Sequence, residues 1–331
     1  MGARLSYPEG IDLNGKVAIV TGGNNGIGYE TTKALSFMGA HTIIACRSEE
    51  RAREAIDRLK EEGVAAGKEV NVEIMKLDLA SLESTKKFIK DFKQKNLPLH
   101  LLICNAGIAL VLQGKTENNF EQHFQTNHLG HFLICLELLP CMMNTEGDKR
   151  IVLVSSMMHS MGAWDPNNLQ GDTSYGRIKF YGNSKLYNIM TMYALQRRAK
   201  DCGITVSSLH PGTIKTDLWH NFSTGISFFA NAMVKLGMGR SVEEGAVTTI
   251  NCAVNSSLNS QQAEYYSEGR PIQASRTARN EQYQEELWSI SCELLKEWMS
   301  PEIWDKYGPT KQNNGDNGRR QHDEEQQQGD D

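Results

Sequence analysis

Tyr181 and Lys185 stand four residues apart on a stretch whose pattern predicts a helix over 181–200. That spacing puts a phenol and an ammonium on one face, within a turn of each other. A free phenol has a pKa of about 10 and is a poor general base at neutral pH. A neighbouring ammonium favours the phenolate and is expected to lower that value. Such a group removes the hydroxyl proton of an alcohol during oxidation, or supplies a proton to a carbonyl oxygen during reduction. Ser155 and Ser156 close a predicted strand over 150–155, and a hydroxyl there could hold the same oxygen. On a strand only one of the two can face a site. By itself Tyr-x3-Lys also describes a pair on a helix surface, and a serine pair at a strand end also serves as a local cap.

The second constellation is Thr21-Gly22-Gly23-Asn24-Asn25-Gly26-Ile27-Gly28, set between a short apolar strand over 16–20 and a helix. Glycines there let the backbone turn sharply and approach a pyrophosphate, whose charge meets the helix N-terminus. The spacing Gly22-x3-Gly26-x-Gly28 differs from the GxGxxG of many dinucleotide enzymes, and a glycine-rich turn can be purely structural. Its place in the first strand–helix–strand unit points to a nucleotide. An acidic residue at the end of the next strand, 41–46, would bind the ribose 2′-hydroxyl of NAD. Cys46 and Arg47 stand there instead, and a cation suits a 2′-phosphate. NADP(H) is therefore expected in preference to NAD(H), the competing reading of Arg47 being one more solvated charge.

The elements that must position these groups alternate along the chain. Helix 48–62 carries Ala52, Ala55, Ile56 and Leu59 as an apolar stripe and ends at Gly63. Strand 72–77, a helix from Ser81, strand 99–104, a helix over 117–139, strand 150–155, helix 181–200 and strand 204–209 follow. Ser241 to Glu244 reads as a capping box opening a helix to about Val254, and a last short strand lies near 263–266. Strand–helix alternation is the pattern of an α/β fold with one doubly wound parallel sheet of the Rossmann type, helices on both faces. Length alone suggests two domains at about 150 residues each. No compositional break supports a second one, so residues 13–308 read as one domain after an extension over 1–12. The polar tail over 309–331 is expected to be disordered.

Gly22, Gly26 and Gly28, Asn105-Ala106-Gly107, Asn127, Ser156, Tyr181-x3-Lys185 and Pro211-Gly212 together resemble the short-chain dehydrogenase/reductase family, over residues 13–270 or so. Ala45-Cys46-Arg47, Lys95-Asn96-Leu97-Pro98-Leu99-His100 and Asn127-His128-Leu129-Gly130-His131-Phe132 are similar to a narrower branch, that of retinol-dehydrogenase-like enzymes and the oxidoreductase domain of WW-domain-containing oxidoreductases. Cys104 departs from the pattern, since the family often has a second Asn there. The resemblance implies a catalytic set of Asn127, Ser156, Tyr181 and Lys185, in which Asn127 positions a water linking Lys185 to solvent. It also implies Asp78 and Leu79 near the adenine, Asn105 near the adenosine ribose, and Lys185 on the nicotinamide ribose. Ile214 and Thr216, after Pro211-Gly212, would hold the carboxamide. Asp78 has a second reading, as a turn residue before Leu79. Homodimers through the helices at 117–139 and 181–200 are a further implication.

Composition narrows the alternatives. With 35 Lys+Arg against 40 Asp+Glu and no basic stripe, nucleic acid and anionic membrane are not expected as main partners. The seven scattered cysteines form no CxxC pair and read as reduced thiols in a cytoplasmic setting, not as a zinc site. The most apolar run, 131–143, holds Glu137 and Pro140 and is too short to span a bilayer. No signal peptide or WW module is expected ahead of the first strand. Trp219, Phe222, Ile226, Phe228, Phe229, Met233 and Leu236, with Met157, Met158, Met161 and Trp164, suggest an apolar pocket for a lipophilic alcohol or carbonyl, such as a retinoid or steroid. Equally, such a stripe caps a core. The leading expectation is an NADP(H)-dependent oxidoreductase, the alternative an NADP(H)-binding regulatory or interaction protein with little turnover.

Overall fold

The fold is described from a computed structural model over Ser6 and residues 8–212, 241–258 and 263–309. Eight strands form one sheet in the order β3-β2-β1-β4-β5-β6-β7-β8. These are β1 (Val17–Thr21), β2 (His41–Cys46), β3 (Val72–Lys76), β4 (Leu101–Cys104), β5 (Lys149–Val154), β6 (Ile204–His210), β7 (Glu264–Ser267) and β8 (Arg270–Ile272). The first seven run parallel, and β8 returns antiparallel on the edge. Strand order reverses between β1 and β4, the place where an open α/β sheet leaves a crevice at its carboxyl edge.

The alternation of β1 shows how the layers are specified. Val17 and Ile19 face a core shared with Phe88, Phe132 and Leu186, whereas Ala18 and Val20 face Leu35, Ala246 and Ile250. Helices α1 (Gly26–Phe37), α2 (Glu49–Ala66), α3 (Leu82–Gln94), α4 (Gly130–Met143), α5 (Arg177–Ala199) and α6 (Val242–Val254) build the two outer layers. Caps set several starts: Ser48 accepts from Arg51 N–H, Ser81 from Ser84 N–H, and Ser241 forms the full capping box with Glu244.

Three departures from the predicted elements have local causes. The helix expected over 117–139 does not begin at 117. Residues 115–121 form a tight turn in which Thr116 N–H donates to Phe120 O at 2.8 Å and Asn119 sits at φ 64°. Helical winding starts only at Gln122, passes through a π turn over Phe124–Leu129, and α4 then runs past Pro140 to Met143. Strand β8 was not foreseen. Nor were two C-terminal helices, α7 (Glu281–Leu295) and α8 (Pro301–Tyr307).

These last helices pack against α4 and α5. Trp288 packs edge-on against Phe132 with ring centroids 4.8 Å apart, and Ser291 Oγ lies 2.8 Å from His128 Nε2. Arg197 and Arg198 of α5 pair with Glu285, and Glu137 of α4 accepts from Ser300 N–H ahead of α8. Among the described residues no helix is long and apolar enough to cross a membrane, and no cluster could hold a metal ion. All seven cysteines are free thiols.

Candidate active site

The glycine turn leaves β1 through Gly22, at φ 65°, and enters α1 at Gly26, at φ 55°. Asn25 caps the helix, its side chain accepting from Gly26 N–H at 2.8 Å. Beside Gly26 there is open space, whereas a Cβ on Gly28 would lie 2.2 Å from Gly22 O and 2.6 Å from Asn105 Nδ2. A helix N-terminus with open space beside Gly26, above a floor that only glycine fits, is what a dinucleotide pyrophosphate requires, so these residues fit that group. Asn24 and Ile27 flank the turn, half-buried.

Thr21, the last residue of β1, fastens the neighbouring motif. Its Oγ1 accepts from the N–H groups of both Asn105 and Ala106 at 2.9 Å, and its carbonyl accepts from Asn105 Nδ2 at 2.9 Å. Gly107 follows, and a Cβ there would meet Asn127 Oδ1 at 3.0 Å and Lys185 Nζ at 3.4 Å. Glycine at this point lets the nucleotide cradle and the polar groups of α5 approach each other.

The other candidate cofactor residues are placed less uniformly. Arg47 is exposed just beyond β2. Asp78 Oδ1 accepts from Ala80 N–H at 3.0 Å, the turn role already considered for it. Leu79 is buried, its side chain packed toward Gly130. Gly212, at φ 90°, donates its N–H to His210 Nδ1 at 2.9 Å, beside Pro211 at the end of β6. Ile214, Thr216 and the apolar segment 219–236 lie outside the described residues, as does the tail from 310.

Around Tyr181 the chain assembles a compact polar group. Tyr181 hydrogen-bonds the Ser156 side chain, and Ser156 Oγ also accepts from Met158 N–H at 3.2 Å. Ser155 is turned away, its Oγ donating to the Lys185 carbonyl at 2.6 Å. Lys185 Nζ donates to Val154 O at 3.1 Å and lies 5.8 Å from the Tyr181 ring centroid. Burial lowers the Lys185 pKa to about 8. Burial also pushes the Tyr181 phenol above its ordinary value, with the Ser156 hydrogen bond pulling the other way. The lowered phenol expected beside Lys185 is therefore not a property of the chain by itself. Desolvation of the phenolate outweighs the Ser156 hydrogen bond.

Asn127, fully buried in the π turn, accepts from Ile108 N–H at 2.8 Å and donates to Ile108 O and Ser184 Oγ, each at 2.9 Å. Its amide thus ties the strand β4 exit to α5, one residue before Lys185. Its own carbonyl lies 3.2 Å from His131 Nδ1, and His131 Nε2 reaches Thr21 Oγ1 at 2.9 Å. Burial holds His131 neutral, with a pKa of about 4. A buried hydrogen-bond chain therefore runs from Asn105 through Thr21 and His131 to Asn127. His131 was quoted in the sequence only as part of a motif; its period of four from Asn127 was the signal that pointed to this contact. Glu121, His123 and Tyr175, beside Tyr181, had no sequence signal. Trp164 was expected to line the pocket and instead points into the packing, its Nε1 donating to Glu286 at 2.9 Å.

A family model described as short chain dehydrogenase matches residues 16–226. The WW domain-containing oxidoreductase of Gallus gallus is 38% identical over 300 residues, covering 88% of this chain and 70% of that protein. Retinol dehydrogenase 11 of Mus musculus is 38% identical, with 86% and 88% covered, and the polyprenol dehydrogenase of Homo sapiens 35%, with 84% of each. The crystal structure of L-sorbose reductase from Gluconobacter frateurii, complexed with NADPH and L-sorbose, superposes with a TM-score of 0.61 at 20% identity over 78% of this chain and 97% of that one, a likeness of fold. With a family model matched over most of its length and relatives of this identity, the chain belongs to the short-chain dehydrogenase/reductase family and is an oxidoreductase of CH–OH groups that works with a nicotinamide cofactor.

Proposed function

We propose that this chain is an NADP(H)-dependent oxidoreductase that interconverts a lipophilic alcohol, retinoid- or steroid-like, and its carbonyl, with Tyr181 as general acid/base. The observation that carries the reading is the Tyr181–Ser156 hydrogen bond, with Lys185 Nζ 5.8 Å from the phenol ring, at the mouth of the glycine cradle. When bound, the nicotinamide supplies the hydride acceptor or donor. Ser156 Oγ holds the reacting oxygen, and Tyr181 Oη moves the proton to or from it. The raised pKa of the free phenol keeps it protonated at neutral pH, the form that serves reduction. Lys185 stays largely charged at pH 7 and stabilises the phenolate once the proton has left. Asn127 holds the water that connects Lys185 to solvent.

Arg47 supports NADP(H), since its exposed guanidinium stands where an acidic residue would favour NAD(H). In this reading Asn24, Asn25 and Ile27 face the pyrophosphate, Asp78 and Leu79 the adenine, and Asn105 the adenosine ribose. Ile214 and Thr216, beyond Pro211-Gly212, hold the carboxamide. A lipophilic substrate is supported by Leu112, Met157, Met161 and Ile178. These are exposed by 66, 49, 59 and 39%, on the three segments that lead to Tyr181. Relatives named for retinol and polyprenol agree with it. Seven free thiols suit a reducing compartment such as the cytoplasm.

Tyr181→Phe keeps the ring and removes the acid–base oxygen. With NADPH and a retinoid aldehyde, kcat is expected to fall by about a thousandfold while NADPH affinity stays within a factor of about two. Full activity in that variant would remove Tyr181 from the chemistry.

A further inference from the structure

The backbone of the segment between Gly107 and Gly114 is held in an unusual way. Leu110 adopts φ 52°, in the left-handed region that a side chain with a Cβ rarely takes, and it is buried there. Such a residue costs on the order of 1–2 kcal/mol unless its surroundings fix it. The fixing is done at the next residue. Val111 N–H donates to His123 Nε2 at 3.3 Å, and Val111 O accepts from the Tyr175 hydroxyl at 3.1 Å. Both backbone polar groups of one loop residue are thus taken by two side chains from different parts of the chain.

Those side chains are themselves locked. Because Nε2 accepts, His123 carries its proton on Nδ1, which donates to Glu121 Oε1 at 2.8 Å. Glu121 Oε2 accepts from Phe124 N–H at 2.7 Å, and Glu121 N–H donates to Gln170 Oε1 at 2.8 Å. Glu121 and His123 are at most 1% exposed. Tyr175 stacks on Phe180 with centroids 4.6 Å apart, and the His123 ring lies 6.2 Å from that of Tyr181. A buried carboxylate is costly unless it is hydrogen-bonded, and here it is spent on orienting one imidazole. Immediately after the held residue comes Leu112, an apolar side chain exposed by 66%.

We infer that Glu121, His123 and Tyr175 form a buried clamp on Val111 that fixes Leu112 over the entrance to the Tyr181 site, so that the clamp selects substrates by the length of their apolar chain. The inference rests on the oxidoreductase reading above and adds its means of substrate selection. The three are positioning residues: they touch the loop, not the reacting atoms. A short substrate reaches Tyr181 without touching Leu112, whereas a long one must lie along it and gains from a loop already in place.

The test compares reduction of propanal and decanal by NADPH in the wild type, Tyr175→Phe and His123→Phe, with His123→Gln as the variant that keeps an acceptor for Val111 N–H. Tyr175→Phe retains the stack on Phe180 and loses only the hydroxyl, so it carries the test should His123→Phe fail to fold. The expected result is a KM for decanal raised about tenfold in Tyr175→Phe and His123→Phe, with kcat, propanal kinetics and NADPH affinity within about twofold, and recovery in His123→Gln. Hydrogen exchange supplies a readout independent of turnover. The Val111 amide should lose protection in His123→Phe, while the Ile108 amide, held by Asn127, keeps it. An unchanged decanal-to-propanal ratio, or unchanged Val111 protection, overturns the clamp. A wild type that reduces neither aldehyde overturns the oxidoreductase reading instead, and the exchange data then decide whether the loop is clamped at all.

Discussion

Lys185 Nζ donates to the carbonyl of Val154 at 3.1 Å, so an ammonium 5.8 Å from the Tyr181 ring is tethered to the last residue of β5. The same strand end supplies Ser156 two residues later. Helix α5 and strand β5 are thus joined at the spot where phenol, ammonium and hydroxyl must keep their spacing, and Ser155 adds a second tie to the Lys185 carbonyl. Each tie is a hydrogen bond to backbone, which cannot drift as a side-chain partner can.

The tether has a stability signature. Lys185 is 5% exposed, and its pKa falls from 10.5 to about 8 on folding. The unfolded chain therefore binds more protons at this group between those values, and stability rises with pH across that window. Below pH 8 the full cost of burying the charge, about 3 kcal/mol before the Val154 hydrogen bond is counted, is present. Lys185→Met is expected to abolish turnover yet to unfold at equal or higher urea than the wild type at pH 7. That advantage should shrink as the pH is raised toward 10.5. Urea midpoints at pH 7, 8, 9 and 10 check both the sign and the window.

The two serines are expected to separate stability from catalysis. Ser155→Ala removes a buried bond to the α5 backbone and should cost about 1 kcal/mol in urea unfolding, with kcat within a few-fold of the wild type. Ser156→Ala should leave stability within about 1 kcal/mol and lower kcat by about a hundredfold or more. The reverse pattern would place Ser155 on the substrate oxygen.

Acid should unfold the protein through two histidines. Burial lowers His128 to about 3 and His131 to about 4, so both stay neutral in the folded chain at pH values where an exposed imidazole is charged. Their contribution is fully present above pH 6.5 and is lost as the pH falls toward 4 and 3. The urea midpoint should therefore drop steeply from pH 6.5 to 4. His128→Leu gives up the bond to Ser291 and lowers the midpoint at pH 7, but its profile below pH 6.5 should be shallower than that of the wild type. Parallel profiles would mean that His128 is not among the groups that drive acid unfolding.

Arg47 offers the cleanest test of cofactor preference because it is exposed and its replacement leaves the core untouched. Arg47→Glu is expected to weaken NADPH binding by about a hundredfold and to leave NADH binding unchanged or tighter. Fluorescence titration with both dinucleotides measures this directly. Equal losses for the two would assign Arg47 to the fold of the turn.

Much of the fold could be read from local pattern. The β1 alternation, the apolar stripe of α2, the Ser241–Glu244 capping box and the glycine turn each depend on residues within a few positions of one another. Where the reading missed, the decisive partner was distant or the local chemistry was overruled. Residues 117–121 carry helix-compatible types, yet Asn119 takes the left-handed conformation and Thr116 closes a turn on Phe120. Helices α7 and α8 cover α4 and α5 through Trp288, Ser291 and Ser300, contacts that span more than a hundred positions.

The amino-acid sequence by itself determined the order of motifs, the doubly wound sheet and the residue types available for proton transfer at Tyr181, because backbone conformation and side-chain periodicity are short-range properties. Only the tertiary structure decided that Ser156 and not Ser155 meets Tyr181, that burial raises the phenol, and that His131 and the Glu121–His123 pair stand around Asn127 and Val111. Those outcomes depend on desolvation and on hydrogen bonds between residues far apart in the chain, and neither exists until the layers have packed.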